Sequence, residues 1–137
     1  MRIVTSAKFE AAHRLSFYDG KCNRLHGHNW KVDLEIYGDM PKISHLLFDF
    51  THLKKIADKF DHKILVLDSE ENRRILENVP DDWIVWIGVE PTAEHLARLI
   101  RQKIIDMMPE ELVLTGKVVV RVWESDHSYA EVNGRDS

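Results

Sequence analysis

The sequence predicts an α+β domain, with one antiparallel four-stranded sheet carrying two helices on one face, and three observations lead there. Apolar residues alternate at period two in the first 38 residues and again near the C-terminus. In two stretches between them the apolar residues recur at helical spacing instead. The elements therefore run strand, strand, helix, helix, strand, strand, which folds most simply as a sheet covered on one side. With 137 residues, 44% of them hydrophobic, the chain suits a single domain over 1–137 with a substantial core.

The first strand is "RIVTSAKFEAAH", where Ile3, Thr5, Ala7, Phe9, Ala11 and His13 share one face against Arg2, Lys8 and Glu10. After a polar loop, "HGHNWKVDLEIYG" aligns His26, His28, Trp30, Val32, Leu34 and Ile36, and the two strands read as a long antiparallel hairpin. In "FDFTHLKKIADKF" the residues Phe50, Leu53, Ile56, Ala57 and Phe60 make a helical stripe, with Asp49 or Thr51 as N-cap. A longer helix follows in "PTAEHLARLIRQKIIDMM", with Pro91 in its first turn and Pro109 after its end. The thirty-residue connection between the helices is too long to be structureless, so Ile64 to Leu67 and Trp83 to Ile87 are expected as short extended pieces. "LVLTGKVVVRVWES" and "SYAEVN" supply the last two strands. The open edges of a four-stranded sheet make pairing between copies, and hence a homo-oligomer, an expectation.

The net charge of −4 and pI near 6.0 argue against a nucleic-acid partner. No stretch approaches the apolar length of a membrane span, and "RIVTSAKFEAAH" after Met1 has no secretory pattern, so a cytoplasmic protein without membrane attachment is expected. One cysteine excludes an intrachain disulfide and leaves its thiol for other chemistry.

His26 and His28 point the same way from one strand, and His13 ends the preceding strand on its apolar face. Hairpin pairing brings the three imidazoles within reach of one ion, and three neutral imidazoles with an open fourth position suit a catalytic zinc. Without a shared ion, three buried rings would each need separate partners. Cys22 lies in a polar loop beside Lys21, Asn23 and Arg24. Its spacing permits a fourth ligand in a closed structural site, a reactive thiolate, or a buried apolar thiol. Asp61-His62 pairs a carboxylate with an imidazole, although adjacent side chains need not touch. Glu124 continues the apolar face of Val118, Val120 and Val122, which suits an anchor for a cationic or amidine-like group as well as a solvated strand end.

In order along the chain, "FEAAH" (9–13), "CNRLHGHN" (22–29), "FDF" with "LK" (48–54), "DHK" (61–63), "PTAEHLA" (91–97) and "VWES" (122–125) resemble the 6-pyruvoyl-tetrahydropterin synthase and 6-carboxy-tetrahydropterin synthase family. The resemblance implies the tunnelling fold (T-fold), assembled by trimers that stack as a hexamer. It also implies a Zn2+ cofactor on His13, His26 and His28, Cys22 as catalytic base, and Asp61 and His62 completing a proton relay from a neighbouring subunit. Glu124 would hold the amino-pyrimidine edge of a pterin substrate, helped by Thr92 and Glu94.

The implied reaction converts 7,8-dihydroneopterin triphosphate, with loss of acetaldehyde and triphosphate, to 6-carboxy-5,6,7,8-tetrahydropterin on the route to queuosine. Elimination of triphosphate alone, giving the 6-pyruvoyl product, is the alternative within the family. A subgroup with glutamate in place of the cysteine is excluded by Cys22. Two features depart from the pattern. Val66 stands where many members carry Asn or Asp, and the stretch 68–90 is longer than expected. From other classes, a non-catalytic zinc module with Cys22 as fourth ligand and a zinc hydrolase using a metal-bound hydroxide remain open.

Overall fold

The computed structural model describes residues 1–134. Its strands are β1 (Arg2–His13), β2 (His26–Tyr37), β3 (Lys63–Leu67), β4 (Ile84–Ile87), β5 (Lys117–Trp123) and β6 (Tyr129–Val132). Its helices are α1 (Thr51–Phe60), α2 (Glu70–Ile75), α3 (Ala93–Met107) and α4 (Glu110–Thr115). The sheet corrects the expectation of four antiparallel strands, because it has six and is mixed, in the order β4-β3-β1-β2-β5-β6. β1, β2, β5 and β6 form the expected antiparallel set, while β3 runs parallel to both β1 and β4.

The long hairpin is observed, with Ala11 opposite His28 and His13 opposite His26. Phe9, Ala11, Trp30, Val32, Leu34, Ile36 and the alternating valines of β5 bury one face of the sheet. Leu53, Ile56 and Phe60 of α1 and Leu96, Ala97, Ile100 and Ile104 of α3 cover it, so the two long helices share one face as expected. α1 is capped from just outside its first residue, where Asp49 Oδ1 accepts the Thr51 N–H at 2.9 Å. Thr92 caps α3, its hydroxyl oxygen accepting the His95 N–H at 3.1 Å.

A second correction concerns the last long strand, which begins at Lys117 and not at Leu112. Pro109 with Glu110 and Glu111 in the first turn starts α4 there, and Gly116 ends it. A Cβ at Gly116 would stand 2.7 Å from the Leu112 carbonyl oxygen, which only glycine avoids.

Val66 and the 68–90 stretch pack against each other. The 68–90 stretch folds as α2, a 3-10 turn and β4, and it brings its own small core of Val66, Leu76 and Ile84, flanked by Ile64, Val79 and Trp86. Leu65 faces the main core while Val66 is fully buried beneath the 68–90 segment, so β3 is apolar on both faces as a covered parallel strand requires.

On the opposite face of the sheet, Glu35 of β2 is 5% exposed and receives Arg2 from β1 at 2.7 Å and Arg121 from β5 at 2.8 Å. Arg121 continues to Glu131 of β6 at 2.7 Å, so one network of charges ties four strands together in register.

Candidate metal centre and active site

β1 and β2 deliver His13, His26 and His28 to the end of the helix-covered face. Their donor atoms and a Glu124 oxygen all lie within 4.8 Å of one another, a group able to hold a metal ion. His13 is fully buried, and Trp30 stands against both His13 and His28 with ring centroids 5.0 and 5.5 Å apart. Trp30 is held in turn by its indole N–H donating to Ala11 O at 3.2 Å and by stacking on Phe9.

The hydrogen bonds test whether these residues fit an ion. His13 Nδ1 lies 2.8 Å from Pro91 O, and His26 Nδ1 lies 2.7 Å from Arg24 O. A carbonyl oxygen only accepts, so both rings carry the proton on Nδ1 and present the Nε2 lone pair to the cluster. Those two Nε2 atoms are 3.0 Å apart, and a cation between them converts their mutual repulsion into attraction. Donors on a tetrahedral zinc stand about 3.4 Å apart, which this spacing approaches. His28 Nε2 is buried without an aligned hydrogen-bond partner, although Glu124 Oε1 is 2.8 Å away. Burial pushes His13 and His28 below the ordinary histidine range, which keeps the rings neutral and able to ligate. The residues fit a zinc-like ion.

Glu124, expected as a substrate anchor, sits 36% exposed just beyond β5, with Oε1 also 3.7 Å from His13 Nε2. Its closeness to the imidazoles was not apparent from strand phase alone, because it depends on how the chain leaves β5. Glu124 also borders a cavity of about 400 Å³ shared with Glu94 and with Ser128 to Glu131. Thr92 uses its hydroxyl oxygen to cap α3 at the same end of that helix.

Cys22 is half-buried in a 3-10 turn at Lys21–Asn23, and it is not a member of the ligand group. Its carbonyl accepts the Leu15 N–H at 3.0 Å, which closes the loop between β1 and β2.

Asp61 and His62 do touch: Asp61 Oδ2 is 2.9 Å from His62 Nδ1. The pair is pinned to β1 twice, by Glu10 N–H donating to Asp61 Oδ1 at 2.9 Å and by His62 N–H donating to Glu10 O at 2.6 Å. Those hydrogen bonds hold His62 at φ 59°, a conformation a non-glycine residue adopts only when its surroundings impose it. The Glu10 N–H and His62 together hold the Asp61 carboxyl below its usual range. His62 is 76% exposed, and it borders an open cavity of about 760 Å³ that His28 and Glu124 also border. No helix among the described residues is long and apolar enough to cross a membrane.

Known proteins resemble the chain in both sequence and fold. A "Putative 6-carboxy-5,6,7,8-tetrahydropterin synthase" of Pyrococcus horikoshii is 34% identical over 96% of this chain and 88% of its own. The 6-carboxy-5,6,7,8-tetrahydropterin synthase of Haemophilus influenzae is 30% identical over 95% of this chain and 96% of its own. The crystal structure of 6-pyruvoyl tetrahydropterin synthase from Plasmodium vivax superposes with a TM-score of 0.75 at 19% identity, covering 97% of this chain and 96% of that one, and shows the same fold. The family model for 6-pyruvoyl tetrahydropterin synthase matches residues 2–135. A histidine triad with two of its tautomers set by backbone carbonyls, on a fold shared with these enzymes, belongs to a chain that is a member of the 6-pyruvoyl tetrahydropterin synthase family of pterin-forming lyases.

Proposed function

We propose that the protein is a zinc-dependent 6-carboxy-5,6,7,8-tetrahydropterin synthase, converting 7,8-dihydroneopterin triphosphate with release of acetaldehyde and triphosphate, in the cytoplasm and on the route to queuosine. The observation that carries the metal reading is the three converging imidazoles, two of them fixed by backbone carbonyls. The names of the curated relatives support the 6-carboxy product over the 6-pyruvoyl one.

His13, His26 and His28 would hold the zinc, which when bound would supply Lewis-acid polarisation to an oxygen of the substrate side chain. Cys22 would take the proton from the adjacent carbon of the substrate side chain; its place outside the ligand group supports this role over a fourth ligand. Glu124 borders both the imidazoles and the cavity it shares with Glu94, so its carboxylate accepts the pterin's N–H edge and orients the side chain toward the metal. Thr92 shapes the same end of α3. Asp61 holds His62 through Nδ1, so Nε2, which lies 3.8 Å from Glu10 Oε2, is the nitrogen for proton transfer. The 76% exposure of His62 supports its serving a site completed by a second subunit, in a trimer that stacks to a hexamer.

Incubating the zinc-loaded protein with 7,8-dihydroneopterin triphosphate and assaying acetaldehyde tests the proposal. Pyruvoyl product without acetaldehyde assigns the other family activity, and no turnover overturns both. Replacing Cys22 with Ala is expected to keep zinc and abolish turnover. Loss of metal and folding would instead identify a structural site with Cys22 as ligand.

A further inference from the structure

The loop between β1 and β2 that carries Cys22 contributes no side chain to the main core or to the smaller one. Phe17, Tyr18 and Leu25 are exposed, so polar ties hold the loop in place. Several of them meet at Arg14, the residue directly after His13, which is 7% exposed. Its Nη2 donates to Asn23 Oδ1 at 2.8 Å and to Glu71 Oε1 at 3.2 Å, and its Nη1 donates to Asn72 Oδ1 at 2.7 Å.

Asn23 adjoins Cys22, and its amide donates back to Tyr18 O at 2.9 Å and Ser16 O at 3.3 Å, which gathers the loop around that residue. Asn72 is fully buried on α2 and has both ends of its amide engaged, the nitrogen donating to Leu67 O at 2.8 Å. Ser69 caps α2 by accepting the Asn72 N–H at 3.1 Å, so the residue is oriented by its backbone as well as by its side chain. A guanidinium presents its donors in a rigid plane. With one arm seated on Asn72, the direction of the other arm toward Asn23 is set.

We propose that Asn72 is a positioning residue for Cys22, acting through Arg14 and Asn23, so that the 68–90 segment determines where the thiol stands relative to the imidazoles; this rests on the reading of Cys22 as the base. The single cysteine makes the test clean, because alkylation by iodoacetamide reports on Cys22 alone. In Asn72→Ala, alkylation is expected to accelerate severalfold with zinc content unchanged. kcat is expected to fall on the order of 10- to 100-fold with KM held within about twofold, the signature of a misplaced reacting group.

A folded, zinc-loaded Asn72→Ala protein with parental alkylation rate and kcat overturns the proposal. If Asn72→Ala does not fold, Asn72→Ser, which withdraws the acceptor from Arg14 and keeps a small polar side chain on α2, decides in the same way: parental values overturn it and the same double change supports it. The two readings fail separately. Parental turnover in Cys22→Ala removes the base role, while the alkylation rate of Asn72→Ala still decides whether α2 positions the thiol.

Discussion

Replacing Glu35 with Gln removes the charge at the centre of the network that joins β1, β2, β5 and β6. Hydrogen bonds from Arg2 and Arg121, with Tyr37 OH donating at 3.2 Å, hold the Glu35 carboxyl at about 2, against an ordinary 4.5. That displacement corresponds to at most about 3 kcal/mol. The Arg2 side chain is 51% exposed and therefore screened, so the expected loss at pH 7 is about 2 kcal/mol. With a urea slope near 1–2 kcal/mol per molar, the midpoint falls by about 1–2 M.

The sign follows from linkage. The folded carboxyl binds its proton less readily than the unfolded one, so the stabilisation is complete above about pH 4.5 and is lost as pH falls toward about 2. Urea unfolding of parent and Glu35→Gln, both in chelator, should show a gap that is full at pH 7 and more than half closed by pH 3. The other carboxylates titrate in both proteins and drop out of the difference. A gap of the same size at pH 7 and pH 3, or none at pH 7, would refute the argument.

Three further outcomes are expected. Stripping zinc with chelator from protein held at 100 times its dissociation constant removes about 2.7 kcal/mol, and calorimetry should show Tm falling by roughly 10 °C. Trp30→Ala, at a residue 1% exposed that backs His13 and His28, should cost about 3–5 kcal/mol in urea unfolding and weaken zinc binding in a competition titration. Glu124→Gln should retain zinc by metal analysis while raising KM by about 10- to 100-fold, as expected for loss of a charge-assisted pair to substrate; loss of zinc would make Glu124 a ligand.

The histidine triad was legible because strand phase is a strict rule: His26 and His28 share a face by spacing, and the antiparallel hairpin brings His13 opposite His26. The carbonyls of Pro91 and Arg24 were not legible, since a backbone acceptor leaves no mark on side-chain pattern. β3 and β4 were readable as extended but not as members of the sheet. Short parallel strands buried on both faces lack alternation, and Val66 looked anomalous until the segment covering it was seen. α4 was lost inside a β-branched run, where the turn chemistry of Pro109 and Gly116 overrides the propensity of Val113 and Thr115. Asn72 carried no signal at all in an exposed-looking, charge-rich stretch; only the buried Arg14 reveals its purpose.

The carbonyl that sets the His13 tautomer belongs to Pro91, one residue before the Thr92 cap of α3. The helix end that adjoins the proposed substrate cavity is thereby wired to a ring of the histidine cluster. Substrate preference and metal grip are for this reason not separate dials. A change that tilts the start of α3 to admit a different ring also swings the imidazole, so variants selected for altered substrates at this end should carry compensating changes on β1.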